Sequence, residues 1–272
     1  MLKIKNCNKS FKKTKALNDF SCDFEDGVYG LLGPNGSGKT TLMRCICGLY
    51  PYEGGTIECD CQNIGYLPQN FGMFKPLTVY EMMSYFATLK KIPKEKEQEE
   101  IEKVIELVNL SHKLNSKVSS LSGGMVRRAG IAQAIMGNPS VILFDEPTAG
   151  LDPEERMRFK TLLSKIKSGK TIILSTHIVS DVEAVCDNIV IIDKGKKIFS
   201  GTRSQVSAMG KGKTFLVEEK YQMELSGSFY IKDKIERDGK DYLCILTDTP
   251  FENMIPVEPT IEDGYLCALK RI

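Results

Sequence analysis

The stretch Gly33-Pro34-Asn35-Gly36-Ser37-Gly38-Lys39-Thr40 fits the pattern G-x-x-x-x-G-K-[ST]. Glycines at this spacing let the backbone curl, so that several N–H groups converge on one phosphate chain. Lys39 can then reach the β- and γ-phosphates of a nucleotide, and Thr40 can ligate Mg²⁺. A helix starting directly after the loop would turn its positive end toward the same anion. The chemistry implied is binding of ATP with Mg²⁺, followed by hydrolysis. A second candidate is Val141-Ile-Leu-Phe-Asp145-Glu146. A carboxylate at the end of a buried strand is costly unless it meets a cation. Asp145 is placed to reach Mg²⁺ through water, and Glu146 to polarise an attacking water. Taken alone, such a run is more often a plain strand end.

The elements around these residues suit the task. Val28–Leu32 is an apolar run of strand length that leads into the glycine loop, and Thr40 to Leu49 reads as a helix. Leu2–Lys5 and Ala16–Phe24 read as short alternating strands. Thr78-Val-Tyr-Glu81 is a capping box that opens a helix to about Leu89. A charged helix with a solvated outer face is expected over Lys94 to about Leu110, and another over Met125–Met136. Residues 77–137 thus form a mostly helical insert. Beyond the strand Val141–Phe144, Asp152-Pro153-Glu154-Glu155 starts a helix running to Gly169, with an acidic cap and proline in its first turn. The strand Thr171–Ser175 is followed by a helix capped by Ser180 with Glu183. Asn188–Asp193 and Lys197–Ser200 form a hairpin turned at Lys194-Gly195-Lys196. Strands alternating with helices imply an α/β fold, a P-loop nucleotide-binding core with a largely parallel sheet. The character changes near Gly210. Residues 211–272 read as a small α+β appendage with strands Thr214–Glu218, Ser228–Lys232 and Tyr242–Thr247 and a last helix capped by Thr260 and Asp263.

Composition narrows the remaining classes. The 272 residues carry a net charge of +2, which leaves no broad electrostatic footprint for nucleic acid, and none is expected as a partner. No apolar run approaches the roughly 18 residues of a membrane span. The basic N-terminus lacks the apolar core of a secretory signal, so the chain is expected in the cytosol, with any membrane role reached through a partner. The nine cysteines lack a C-x-x-C spacing. Cys45/Cys47 and Cys59/Cys61 have no histidine nearby and read as reduced thiols rather than zinc ligands.

Further motifs fall in a telling order. Tyr66-Leu67-Pro68-Gln69 lies between the phosphate loop and the helical insert, and Leu121-Ser122-Gly123-Gly124-Met125 sits shortly before the strand Val141–Phe144. Pro147-Thr148-Ala149-Gly150-Leu151-Asp152 follows Glu146, and Ser175-Thr176-His177 ends the next strand. Together with the phosphate loop, these resemble the Q-loop, signature, D-loop and switch histidine of ATP-binding cassette (ABC) ATPases over about residues 1–205. The resemblance assigns 1–210 to the ATPase domain. It implies that Glu146, His177 and Gln69 serve catalysis, and that Thr40, Gln69 and Asp145 serve the metal. It also implies that Thr41 joins residues 33–40 on the nucleotide and that Phe11 stacks on adenine. Ser122, Gly123 and Gly124 would bind the γ-phosphate held by a second subunit, most simply a homodimer partner. Asp152 would serve both as helix cap and at the subunit interface, while His112 matches no motif and reads as a surface residue.

Two departures accompany the resemblance. Met125 stands where the family commonly has glutamine, and Glu53–Gly65 is short for the family's antiparallel strands. Two functions remain open. One is the ATPase subunit of a transporter, peripheral on the inner face of the membrane and docked through the Gln69 region to a separate polytopic permease. Pro259-Thr-Ile-Glu-Asp-Gly-Tyr-Leu266 resembles the tail of multidrug- or peptide-exporter ATPases and points to export. The other is a non-transport ATPase acting on DNA or ribosomes, against which stand the single cassette, the absence of heptad runs and the near-neutral charge.

Overall fold

A computed structural model describes residues 1–59 and 63–272. Its chain order is β1 (Leu2–Phe11), β2 (Thr14–Phe24), β3 (Gly27–Leu32), α1 (Lys39–Ile46), β4 (Gly54–Cys59) and β5 (Ile64–Leu67). Then come α2 (Val79–Leu89), α3 (Lys94–Leu107), α4 (Gly123–Ile135), β6 (Val141–Asp145), α5 (Pro153–Ile166), β7 (Thr171–Thr176) and α6 (Val179–Val185). The rest is β8 (Asn188–Asp193), β9 (Lys196–Thr202), α7 (Arg203–Ala208), β10 (Thr214–Glu218), β11 (Phe229–Arg237), β12 (Lys240–Thr247), β13 (Met254–Pro256) and α8 (Ile261–Lys270).

The central sheet has the order β5-β6-β7-β3-β8-β9, parallel throughout except for the β8–β9 hairpin. Every residue of β6 and β7 is buried, as strands covered on both faces require. Alternation sorts them between two cores. Ile142, Phe144, Ile172 and Leu174 face a cluster built with α4, α5 and the insert. Val141, Leu143 and Ile173 face a second cluster that takes in α1 and the antiparallel strands β1 and β2. Because both faces are buried, the loops carrying the candidate residues emerge together at the carboxyl ends of β3, β5, β6 and β7.

The capping boxes at Thr78/Glu81 and Thr260/Asp263 form as the sequence indicates. Elsewhere the structure corrects the reading. Ser180 is not a cap: it lies inside α6, and the Thr176 hydroxyl accepts from the Ile178 amide instead. The helix over 94–107 has the solvated outer face expected, with residues 98, 99, 102, 103 and 106 exposed, while Ile101, Val104 and Ile105 are buried on the other side together with Glu97, held by Ser84 and Lys94. Of the segment 53–65, β4 pairs antiparallel with β1, and β5 joins the parallel sheet. The Cys59/Cys61 spacing reaches Cys61, which lies outside the described residues. His112 is exposed.

The strands β10 to β13 form their own sheet, in the order β11-β12-β10-β13. The chain then returns to the core. α8 places Tyr265 in the large cluster beside Val206 of α7, and a Cβ on Gly264 would lie 1.7 Å from the Val206 carbonyl oxygen. Only glycine allows that approach. Gly264→Ala is therefore expected to destabilise the protein by about 1–3 kcal/mol through overpacking, seen as a fall of several degrees in Tm. A melt indistinguishable from the parent's would mean that α8 does not dock this closely.

Candidate active site

The loop after β3 is shaped by its own backbone. The Ser37 amide donates to Pro34 O (3.1 Å), and Ser37 O accepts from the Gly195 amide (2.8 Å), which stitches the loop to the β8–β9 turn. Gly38 has φ +110°, and a Cβ there would stand 2.5 Å from Ala16 O, so no other residue suits this position. The helix α1 starts at the next residue. Its N-terminus and residues Asn35 to Thr41 line a cavity of about 390 Å³, closed by Thr14–Ala16, Gln69 and Glu146. Lys39 is buried, and its Nζ donates to Gly33 O (2.7 Å) and Pro34 O (3.1 Å). Burial lowers the pKa of this amine, with Glu146 and then Asp145 opposing the shift. An ammonium held mostly by neutral carbonyls in a buried site favours an anion in front of it, and a phosphate chain fits that demand.

Asp145 is fully buried at the end of β6. Its Oδ1 accepts from Ser175 Oγ (2.6 Å) and Thr40 Oγ1 (3.1 Å), while Oδ2 is buried without a hydrogen-bond partner. A buried carboxylate oxygen in that condition calls for an explanation. Mg²⁺ takes oxygen donors, keeps several waters and needs few protein ligands when phosphates supply the rest. The Thr40 hydroxyl and the free Asp145 oxygen fit such an ion, with Gln69 exposed at the rim.

Glu146 has the left-handed backbone angle φ +51°, worth about 1–2 kcal/mol of strain in a residue with a Cβ. Its amide donates to Ser175 O (3.2 Å) and Ser175 Oγ (3.0 Å). That turn carries the buried carboxylate toward the loop. Oε1 lies 3.1 Å from His177 Nδ1 and 4.0 Å from Lys39 Nζ. His177 follows β7, with its side chain 44% exposed.

The structure thus gathers residues 35–41, Glu146 and Gln69 about one cavity, with Asp145 joined to it through Thr40 and His177 through Glu146. The signature residues stand elsewhere. Ser122 caps α4, accepting from the Met125 amide at 3.3 Å. Gly123 and Gly124 line a separate groove of about 550 Å³ with Ala149, Gly150 and Gln69, so Gln69 borders both spaces. Met125 packs against the large core cluster. Asp152 caps α5, accepting from the Glu155 amide at 2.8 Å. Phe11 ends β1 with its ring exposed and edge-on to Tyr50 at 5.3 Å, outside the lining of the phosphate cavity.

The sequence reading missed two features. Ser175, read only as a strand end, bridges Asp145 to the Glu146 amide. Arg127 of α4 was not singled out, yet its guanidinium donates to the carbonyls of Pro68, Gln69, Asp145, Glu146 and Pro147. No local pattern marks it, because its acceptors are backbone atoms far away in sequence.

A phosphate loop at the carboxyl end of a doubly covered parallel sheet, with an acidic pair on a nearby strand, defines a P-loop nucleoside triphosphatase. Residues 17–149 match the model of the ABC transporter family. Relatives agree. An uncharacterized ABC transporter ATP-binding protein of Synechocystis is 36% identical over 74% of this chain, which spans 60% of that relative's length. The linearmycin resistance ATP-binding protein LnrL of Bacillus subtilis is 31% identical, over 84% of this chain and 76% of its own length. The methionine import ATP-binding protein MetN of Mannheimia succiniciproducens is 34% identical, over 92% and 76%. Among solved structures, the dimeric bacterial ABC transporter cassette MJ0796 superposes with TM-score 0.68 at 25% identity, covering 74% of this chain and 98% of its own. The same cassette is also known as a dimer in a post-hydrolysis state bound to ADP and Pi. The chain belongs to the ABC transporter family and carries its ATPase cassette.

Lys39→Ala is expected to abolish tight ATP binding, because it removes the buried cation facing the phosphate cavity. Equilibrium dialysis with MgATP measures this; parent affinity in the variant would rule the loop out as the binding site.

Proposed function

We propose that this chain is the ATP-hydrolysing subunit of an exporter, working as a homodimer on the inner face of the membrane and driving a separate polytopic permease. The nucleotide chemistry falls to residues 1–210, with 211–272 as an appendage to them. The observation that carries the reading is the division between the two spaces. Glu146 lines the phosphate cavity, whereas Gly123 and Gly124 line the other groove, at the end of α4 that Ser122 caps. Neither space is complete within one chain, and a second copy placed head to tail supplies each site with the partner's signature. The resulting interface is isologous and makes two sites at once.

In each site Lys39 and the amides of residues 33–41 bind the triphosphate, and Phe11 packs against the base. Thr40, Asp145 and Gln69 would hold Mg²⁺, which would supply charge neutralisation at the phosphate oxygens. Glu146 accepts the proton of the attacking water as a bond forms to the γ-phosphorus and the bond to the leaving ADP oxygen breaks. His177, 3.1 Å from the Glu146 carboxylate, holds that group and the γ-phosphate in register. ATP bound between subunits favours the closed pair, and loss of the γ-phosphate releases it. A permease docked at Gln69 feels that cycle as mechanical work. Export is favoured by the segment 259–266 and by the resistance protein among the relatives, although a methionine importer lies at similar identity.

Two measurements test this. Glu146→Gln is expected to retain ATP binding, to slow hydrolysis at least about a hundredfold, and to elute as an ATP-bound dimer in gel filtration. A monomeric variant with undiminished turnover would give Glu146 another role. Ser122→Arg and Lys39→Ala are each expected to be inactive, whereas their mixture recovers part of the activity by rebuilding one intact site. Mixed dimers that form yet stay inactive would overturn the shared site.

A further inference from the structure

Arg127 uses its whole hydrogen-bonding capacity on backbone. A guanidinium has five N–H donors in a planar fork. Here Nε donates to Pro147 O (3.2 Å), Nη1 to Pro68 O (3.1 Å) and Gln69 O (2.9 Å), and Nη2 to Asp145 O (2.8 Å) and Glu146 O (2.5 Å). Among the described residues it makes no ion pair with a side chain, unlike the neighbouring Arg128, which pairs with Glu155 at 3.2 Å. The cation is thus spent on five carbonyl dipoles from two loops that are separate in sequence. One of these loops carries Gln69 and the other Glu146.

The geometry explains the strain at Glu146. For the carbonyls of residues 145, 146 and 147 to converge on one guanidinium, the chain must coil tightly there, and Glu146 takes φ +51°. With its carbonyl committed to Arg127, the Glu146 side chain faces Lys39 and His177. A left-handed glutamate persists only where its surroundings over-determine it. Ser175 fixes the amide side of that residue and Arg127 its carbonyl side.

Arg127 itself stands in the first half of α4, the helix that Ser122 caps. Any tilt of α4 therefore acts through one rigid planar group on both loops. We propose that Arg127 is a positioning residue for hydrolysis, tying Glu146 and Gln69 to the signature helix so that the glutamate is aimed only while that helix is seated. This proposal rests on the ATPase reading for its kinetic consequence, but the tie itself does not.

The test uses the full chain with Arg127→Ala and Arg127→Lys. Lysine keeps the charge and offers at most three donors to five carbonyls, so it preserves folding should alanine not, and its losses are expected to be the smaller. Without nucleotide, amide hydrogen exchange at residues 69–71, 145, 146 and 148–150 is expected to rise together at least tenfold, while α3 stays as in the parent. With MgATP, kcat per ATP-binding site is expected to fall tenfold or more in the alanine variant, the scale of a misplaced catalytic group. KM should stay within about twofold. Unchanged exchange in either loop, or parent kcat per binding site, would overturn the proposal. A parent chain without turnover would defeat the ATPase reading alone, because the exchange measurement decides the tie independently.

Discussion

Asp145 and Glu146 put two carboxylates beside a strand whose every residue is buried, and buried charge is tolerated only when cations and donors surround it. Much of the neighbouring architecture answers that demand. Thr40 and Ser175 serve one oxygen of Asp145, from α1 and from β7. Lys39 and His177 approach Glu146 from the loop and from the end of β7. The donors come in pairs, Lys39 and Thr40 from the start of α1 and Ser175 and His177 from the end of β7, so the order β5-β6-β7-β3 is more than a way of filling a core. It sets β6 beside β7, with β3 next, so that their carboxyl ends deliver those donors to one point.

The same end of the sheet carries a third buried carboxylate. Asp181 of α6 accepts from Thr148 and Thr176 and lies 3.4 Å from Arg156. It thereby links the segment after Glu146 to the segment that ends in His177. The two stretches that flank the phosphate cavity are thus held below as well as above, and neither can shift far without disturbing the other.

What was legible in the sequence was mostly local. The phosphate loop, the caps at Thr78, Asp152 and Thr260, and the buried strands β6 and β7 each depend on residues a few positions apart, and their types carry the signal. Where the helix start was misjudged, the reading failed: Ser180 has the chemistry of a cap, but α6 already begins at Val179 and leaves Ser180 inside the helix. Arg127 and Ser175 are defined by acceptors and donors about 20 to 60 residues away, so no spacing rule could single them out. The separation of the signature residues from the phosphate cavity was implied by the family resemblance, and the two distinct linings now give it a physical form.

The return of α8 to the core has a consequence for how the protein is made. Tyr265 and its neighbours complete a hydrophobic cluster whose other members begin at Val28. Contacts across such a span close late, since the loop entropy of bringing distant segments together is lost before the contact repays it. During synthesis the phosphate loop leaves the ribosome more than two hundred residues ahead of the helix that seals part of its supporting core. Until α8 is made, the nascent cassette exposes apolar surface around Val206 and α6, and transiently exposed surface of that kind is prone to aggregate.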